Sequence, residues 1–217
     1  MDCKLISLIM IIPLFFSCKG QEAQEKSIRE AVYAGSFYPA EKSELEMQLK
    51  NYFTSAAPRK NNVRAVIAPH AGYVFSGSVA ADAYNQILPD KAVKNVFILA
   101  PAHRVYITSA SVFCGDAYET PLGDVPVNRD IADKLLKSED VFKFNAQAHA
   151  EEHSIEVQLP FLQYHLETDF KIVPVLINTD DVQRLENIAA LLQPYYTDEN
   201  LFVVSTDFSH YPGYEDA

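Results

Sequence analysis

An α/β fold, with a mainly parallel central sheet flanked by helices, is predicted by two features of the 217-residue sequence. Short apolar runs (VRAVIA, NVFILA, KIVPVLI, LFVVS) alternate with stretches of helical spacing, the pattern of buried strands joined by covering helices. Hydrophobic residues make up 48% of the chain and charged residues 22%, enough apolar surface for a core and too much for a disordered tail or a fibre. The length suits one domain, with or without a short appendage, and is too small for two full α/β domains.

The elements follow in chain order. Glu41 to Phe53 carries Leu45, Leu49, Tyr52 and Phe53 on one face and reads as a helix. Val63 to Ala68 is a buried strand ended by Pro69, and Ser76 is placed to cap a helix bearing Val79, Ala80, Ala83, Tyr84 and Ile87. Asn95 to Ala100 is a strand stopped by Pro101, and Thr108 to Cys114 another. The turn-rich TPLGDVP then leads to a helix capped by Asn128. A helix from about Glu151 to Leu166 precedes the strand Lys171 to Ile177. Asp180 or Asp181 starts a helix through Leu192, and Leu201 to Ser205 forms the last strand.

A net charge of −11 repels phosphate backbones, so nucleic acid is not an expected partner. Three cysteines make no disulfide framework: Cys3 and Cys18 lie in an atypical N-terminal stretch, which leaves Cys114 to be read as a small buried hydrophobe. Leu5 to Phe16 is an apolar run too short for a membrane span and is interrupted by Pro13. With Lys4 before it and Ser17-Cys18-Lys19-Gly20 after, it has the layout of a secretory signal, residues 1–17. The FFSC ending resembles a bacterial lipoprotein signal, in which Cys18 would be acylated and hold the chain on the cell envelope by a lipid anchor. A simple secretion signal and a cytoplasmic location are the alternatives. Residues 18–29 then read as a polar tether and 30–217 as the folded domain.

Three histidines fall just after predicted strands: His70 in APHAGY, His103 in APAHRVY and His210 in STDFSH. Ligands in open parallel sheets bind beyond the carboxyl ends of the strands, so these imidazoles are placed to converge there. Neutral imidazoles with a carboxylate or thiolate suit iron, copper or zinc. Pro69 and Pro101 stiffen the turns that carry two of them. Gly72 and Gly77 flank Tyr73 to Ser76 and permit a tight turn or close approach of backbone to a ligand; Tyr73 itself reads as a packing residue.

The stretch His149-Ala150-Glu151-Glu152-His153 has two readings. As H-x-x-E-H it matches the inverzincin signature, a zinc hydrolase in which His149 and His153 bind the metal and Glu152 activates water. The segment FNAQA before it offers no clear cap, however, and a helix starting near Glu151 leaves His149 in a loop. His153 and Glu156 then share one face, pointing together into a site or bracing one another. The second reading is preferred.

APHAGYVFSG, FILAPAHRVY, ETPLGDVPV, EEHSIEVQLPFLQ, KIVPVLIN and LFVVSTDFSHY occur in an order and spacing that resemble the Memo family, also called AmmeMemoRadiSam system protein B, from about Val32 to Tyr211. The resemblance implies a fold like the class III extradiol dioxygenases, which use non-haem iron. It implies His70 and His103 as metal ligands, with Fe(II) foremost and Cu or Zn behind it. His210 matches the counterpart of the dioxygenase acid/base, and Asp207 and His153 match further catalytic pocket residues. Radical-SAM and AMMECR1-like proteins are implied partners of microbial relatives. The activity implied is a metal-dependent, dioxygenase-like oxidoreductase. A non-catalytic metal- or ligand-binding module stays open, because a shared fold does not establish a shared reaction. The family's third ligand is a cysteine beyond the DFSH block, which this chain lacks, and an apolar sheet ending in a charged tail suggests a C-terminally truncated reading frame.

Overall fold

The strands that carry the predicted site residues lie side by side in the computed structural model, which describes residues 26–59, 63–208 and 215. The predicted leader, Cys18 and His210 fall outside the described residues. In chain order the elements begin with β1 (Ile28–Arg29), α1 (Lys42–Ser55), β2 (Ala65–Pro69), α2 (Tyr73–Tyr84) and β3 (Asn95–Pro101). Next come β4 (Ala110–Val112), β5 (Ala117–Tyr118), β6 (Val125–Pro126), α3 (Arg129–Leu136) and β7 (Phe142–Lys143). Three short helices, α4 (Ala146–Ala150), α5 (His153–Glu156) and α6 (Leu159–His165), precede β8 (Lys171–Ile177), α7 (Val182–Leu192) and β9 (Asn200–Thr206).

The main sheet has the order β2-β9-β3-β8-β4-β7. It is parallel except where β4 meets β8. The last strand of the chain therefore sits between β2 and β3, with Thr206 beside Pro69 and Val204 beside both Ile67 and Leu99. A second, three-stranded sheet pairs β1, β5 and β6.

Alternate residues of each central strand enter opposite cores, as the two-residue period of a strand requires. Val96, Ile98, Leu201 and Val203 pack with Leu45 and Leu49 of α1, Tyr84 of α2 and Phe161 of α6. Phe97, Val173 and Phe202 pack on the other side with Ile131 and Leu135 of α3 and Ile188 and Leu192 of α7. Cys114 is partly buried against this second core. Asn128 and Asp181 cap α3 and α7 as expected, accepting N–H bonds from Ile131 and from Gln183 and Arg184. Among the described residues no helix is long and apolar enough to cross a membrane.

Four local readings need correction. The helix α2 starts at Tyr73 rather than after Ser76, because the Tyr73 N–H is taken by the Phe37 carbonyl at 2.8 Å; Val79 points to solvent. Gly77 is a helix residue, where an added Cβ would lie 2.5 Å from the Tyr52 ring, so its glycine serves the packing of α1 on α2 rather than a ligand. The single helix from Glu151 to Leu166 is instead broken. Glu152 is extended (φ −98°, ψ 126°) and caps α5 from outside, and Pro160, which has no N–H to give α5, sits in the first turn of α6. Finally Ile28 and Arg29, assigned to the tether, form β1, with Arg29 buried.

Candidate metal centre

Three adjacent strands, β2, β9 and β3, each deliver one polar residue to the carboxyl edge of the sheet. His70 follows Pro69 at the end of β2, His103 lies two residues past the end of β3, and Asp207 follows Thr206 at the end of β9. A fourth residue, His153, is the first of α5 and comes from above the sheet. One potential ligand atom from each of His70, His103 and His153 lies within 4.8 Å of the other two. The ring centroids are 5.1 Å apart for His70 and His103, 5.4 Å for His70 and His153, and 4.7 Å for His103 and His153. The cleft above them, about 350 Å³, is lined by Phe37, Ala71, Gly72, His103, Arg104, His153 and Asp207.

Glu152 organises one side of this cluster. Its carboxylate accepts the His103 backbone N–H at 2.5 Å, the His103 Nδ1–H at 2.9 Å and the Ser154 N–H at 3.0 Å. Burial alone would raise its pKa, but the hydrogen bonds from His103 and Ser154 outweigh burial and hold the carboxyl at about 2. The hydrogen bond to Glu152 in turn raises the pKa of His103. Because Nδ1 donates to Glu152, Nε2 is the His103 atom left for the pocket, and it lies 3.5 Å from an oxygen of Asp207.

His70 is almost wholly buried, with Nδ1 2.8 Å from Ser205 Oγ and Nε2 3.0 Å from the other Asp207 oxygen. His153 packs on Phe37 and Tyr33, with centroids at 4.7 and 5.3 Å, and burial pushes its pKa down to about 4. Burial likewise lowers the pKa of His70. Among the described residues three buried side-chain polar atoms make no hydrogen bond, and two of them are His70 Nε2 and His153 Nδ1. These ring nitrogens lie beside carboxylates, His70 Nε2 3.0 Å from Asp207 and His153 Nδ1 3.3 Å from Glu152, and imidazole with carboxylate suits a divalent transition metal. The residues present therefore fit a metal ion.

Of the predicted site residues, His70, His103, His153 and Asp207 are thus brought together. His153, expected as a further pocket residue, is one of the three histidines whose ring nitrogens lie close enough to hold a metal ion. Glu152 was read only as a zincin base; the one sequence signal for its real position is an acidic residue directly before a helix start.

The inverzincin arrangement is absent, since the chain between His149 and His153 is not one helix. His149 ends up in α4, whose cap is Asn145, accepting the Ala148 N–H. Both ring nitrogens are occupied, Nε2 at 3.1 Å from Ser111 Oγ and Nδ1 at 3.0 Å from Tyr118 Oη, and burial depresses the pKa to about 3. His149 is a satisfied core histidine. Glu156 also faces away from the pocket: it is wholly buried and binds the Arg29 guanidinium, the Tyr38 hydroxyl and, at 2.9 Å, the Tyr33 N–H. It thereby ties the N-terminal segment, including the Phe37 wall, to the helix that carries His153. Tyr73 packs as expected and donates to the Val157 carbonyl at 2.8 Å.

The chain is similar to Protein MEMO1 of Xenopus tropicalis, 38% identical over 187 residues that are 84% of this chain and 63% of the frog protein. Protein MEMO1 of Homo sapiens is 37% identical over the same shares. The Caenorhabditis elegans protein memo-1 homolog is 37% identical over 185 residues, 53% of its length. This chain thus spans less than two thirds of the length of these relatives. The mostly parallel sheet flanked by helices is consistent with an extradiol dioxygenase-like fold. With the model of Memo-like proteins matching residues 29–216, the chain belongs to the Memo family.

Proposed function

We propose that this Memo-family chain binds a divalent transition metal through His70, His103 and His153, with Asp207 beside the ion, and serves as a dioxygenase-like oxidoreductase centre. The convergence of three ring nitrogens within 4.8 Å at the carboxyl ends of β2 and β3 carries the proposal. Iron(II) leads by fold analogy, with copper and zinc as alternatives. Such an ion, when bound, would supply redox chemistry at a point open to the cleft. The chain's own residues do the rest. Glu152 orients His103, Phe37 gives the cleft an apolar wall, and Arg104 places a cation at its mouth to receive an anionic ligand. Envelope attachment through Cys18, a proton-transfer role for His210, and radical-SAM and AMMECR1-like partners belong to the same proposal.

Anaerobic reconstitution with Fe(II), Cu(II) and Zn(II), followed by metal analysis of dialysed protein, tests the site. His70→Ala, His103→Ala and His153→Ala should each lose bound metal and His149→Ala should keep it. Metal retained after loss of both His70 and His103 would overturn the assignment. Oxygen uptake with catechol-like substrates then tests turnover; its absence from metal-loaded protein would leave a binding module.

A further inference from the structure

We infer that Ser205 and Gln158 are positioning residues that fix the tautomer of the neutral His70 ring, holding its proton on Nδ1 and turning the Nε2 lone pair toward Asp207. The inference rests on the metal reading only for the use of that lone pair; the tautomer itself follows from hydrogen-bond polarity.

The chain of polarity starts at a backbone carbonyl, which can only accept. Gln158, wholly buried, has one amide atom 3.0 Å from the Pro69 carbonyl oxygen, so that atom must be the NH2 nitrogen. Its other amide atom, the oxygen, accepts the Tyr84 hydroxyl proton at 2.7 Å. The NH2 group has a second proton, and it is directed at Ser205 Oγ, 2.8 Å away. Ser205 therefore accepts from Gln158. Its own single proton goes to the Ser154 carbonyl at 2.6 Å, again an acceptor without alternative. With that proton committed, Ser205 Oγ has nothing to donate to His70 and can only accept from it. The 2.8 Å contact between His70 Nδ1 and Ser205 Oγ is thus an N–H···O bond. While the ring is neutral it carries one proton, this one, and Nε2 is left as a lone pair 3.0 Å from the Asp207 carboxylate.

Two independent elements converge on this arrangement. Gln158 lies between α5 and α6, and Ser205 lies near the end of β9, the strand that also supplies Asp207. Asp207 opposes them, because a carboxylate oxygen 3.0 Å from Nε2 would favour a proton there. The Gln158–Ser205 pair holds the single proton of the neutral ring on Nδ1 against that pull. On the far side of the cleft Glu152 plays the matching part for His103.

The test is long-range proton–nitrogen NMR of the imidazoles in metal-free protein, with the His70 signals assigned through His70→Gln. Wild type should show His70 protonated at Nδ1 and bare at Nε2. Ser205→Ala should shift it toward the Nε2–H form and weaken metal binding about 10–100-fold; Ser205→Thr, which keeps the hydroxyl, should restore both. An Nε2–H signal in wild type would overturn the inference, and this reading needs no variant to fold. Ser205→Ala with an unchanged tautomer would overturn it as well. An Nδ1–H tautomer that is lost in Ser205→Ala, in a protein that binds no metal, would uphold the inference and sink the metal reading instead.

Discussion

Replacing Glu152 with glutamine alters one atom of a buried side chain and should weaken both the fold and the hold on metal. One carboxylate oxygen accepts the His103 backbone N–H, and the other accepts His103 Nδ1–H and Ser154 N–H. An amide keeps a single acceptor oxygen and presents NH2 where the other stood. At best it retains two of the three bonds and sets a donor against the remaining N–H. A hydrogen bond to a charged acceptor contributes roughly 1.5–3 kcal/mol, and stranding a buried donor costs about 1–3 kcal/mol, so a net loss of about 3 kcal/mol is expected. At an m-value of about 2 kcal/mol/M the urea midpoint falls by about 1.5 M. Because the carboxylate also fixes which His103 nitrogen faces the cleft, metal affinity should drop about 10–100-fold, read by competition with a chromophoric chelator. The His103 pKa should also return toward its ordinary value, since its first cause of elevation is this hydrogen bond. An unchanged urea midpoint together with unchanged chelator competition would refute the organising role of Glu152. Lost stability with full affinity would refute its role in orienting His103.

Two further outcomes follow from the buried network behind the site. Arg29→Met leaves Glu156 buried with no cation beside it and should destabilise the chain by about 3–5 kcal/mol, whereas Arg29→Met combined with Glu156→Leu should recover much of that loss; equal urea midpoints for wild type and Arg29→Met would contradict a structural ion pair. His149, held to about 3 by burial, stays neutral in the fold while the unfolded chain takes up a proton below about 6.5. Its contribution is therefore complete above pH 6.5 and is lost as pH falls toward 3, to a total of roughly 5 kcal/mol. His149→Gln, which takes up no proton, should flatten the fall of unfolding free energy between pH 6.5 and 4, and an identical slope would show that His149 is not the neutral buried group described.

The parts of the fold that were legible in the sequence are those governed by local chemistry. Apolar runs stopped by Pro69 and Pro101, and the caps Asn128 and Asp181, depend on a few neighbouring residues, and each forms as read. The helix from Glu151 to Leu166 failed because its apolar spacing hides Pro160 and an extended Glu152, whose carboxylate gains more from His103 and Ser154 than from helical backbone. Arg29 resembled a tether residue because nothing near it in sequence explains a buried guanidinium; its partner, Glu156, is distant along the chain. The same distance hid Ser205 and Gln158, two unremarkable polar residues until strand β9 and the turn before α6 bring them to His70.

Strand order decides what the site can be. If the strands had paired in chain order, β2 would lie beside β3 and the two imidazoles would face each other across one strand spacing. Inserting β9 between them places Asp207 where both Nε2 atoms point, at 3.0 and 3.5 Å. The two Nε2 atoms and the Asp207 carboxylate crowd together, and a proton or a metal ion is small enough to lie among them. Burial lowers the pKa of both His70 and His153, which disfavours the proton. At His103 the hydrogen bond to Glu152, with Asp207 facing Nε2, raises the pKa and favours the proton. The insertion of β9 thus brings a carboxylate among three imidazoles, two of which burial keeps from charging while the third is held ready to charge by Glu152 and Asp207, so a metal ion bound here would compete with a single proton, the one on His103.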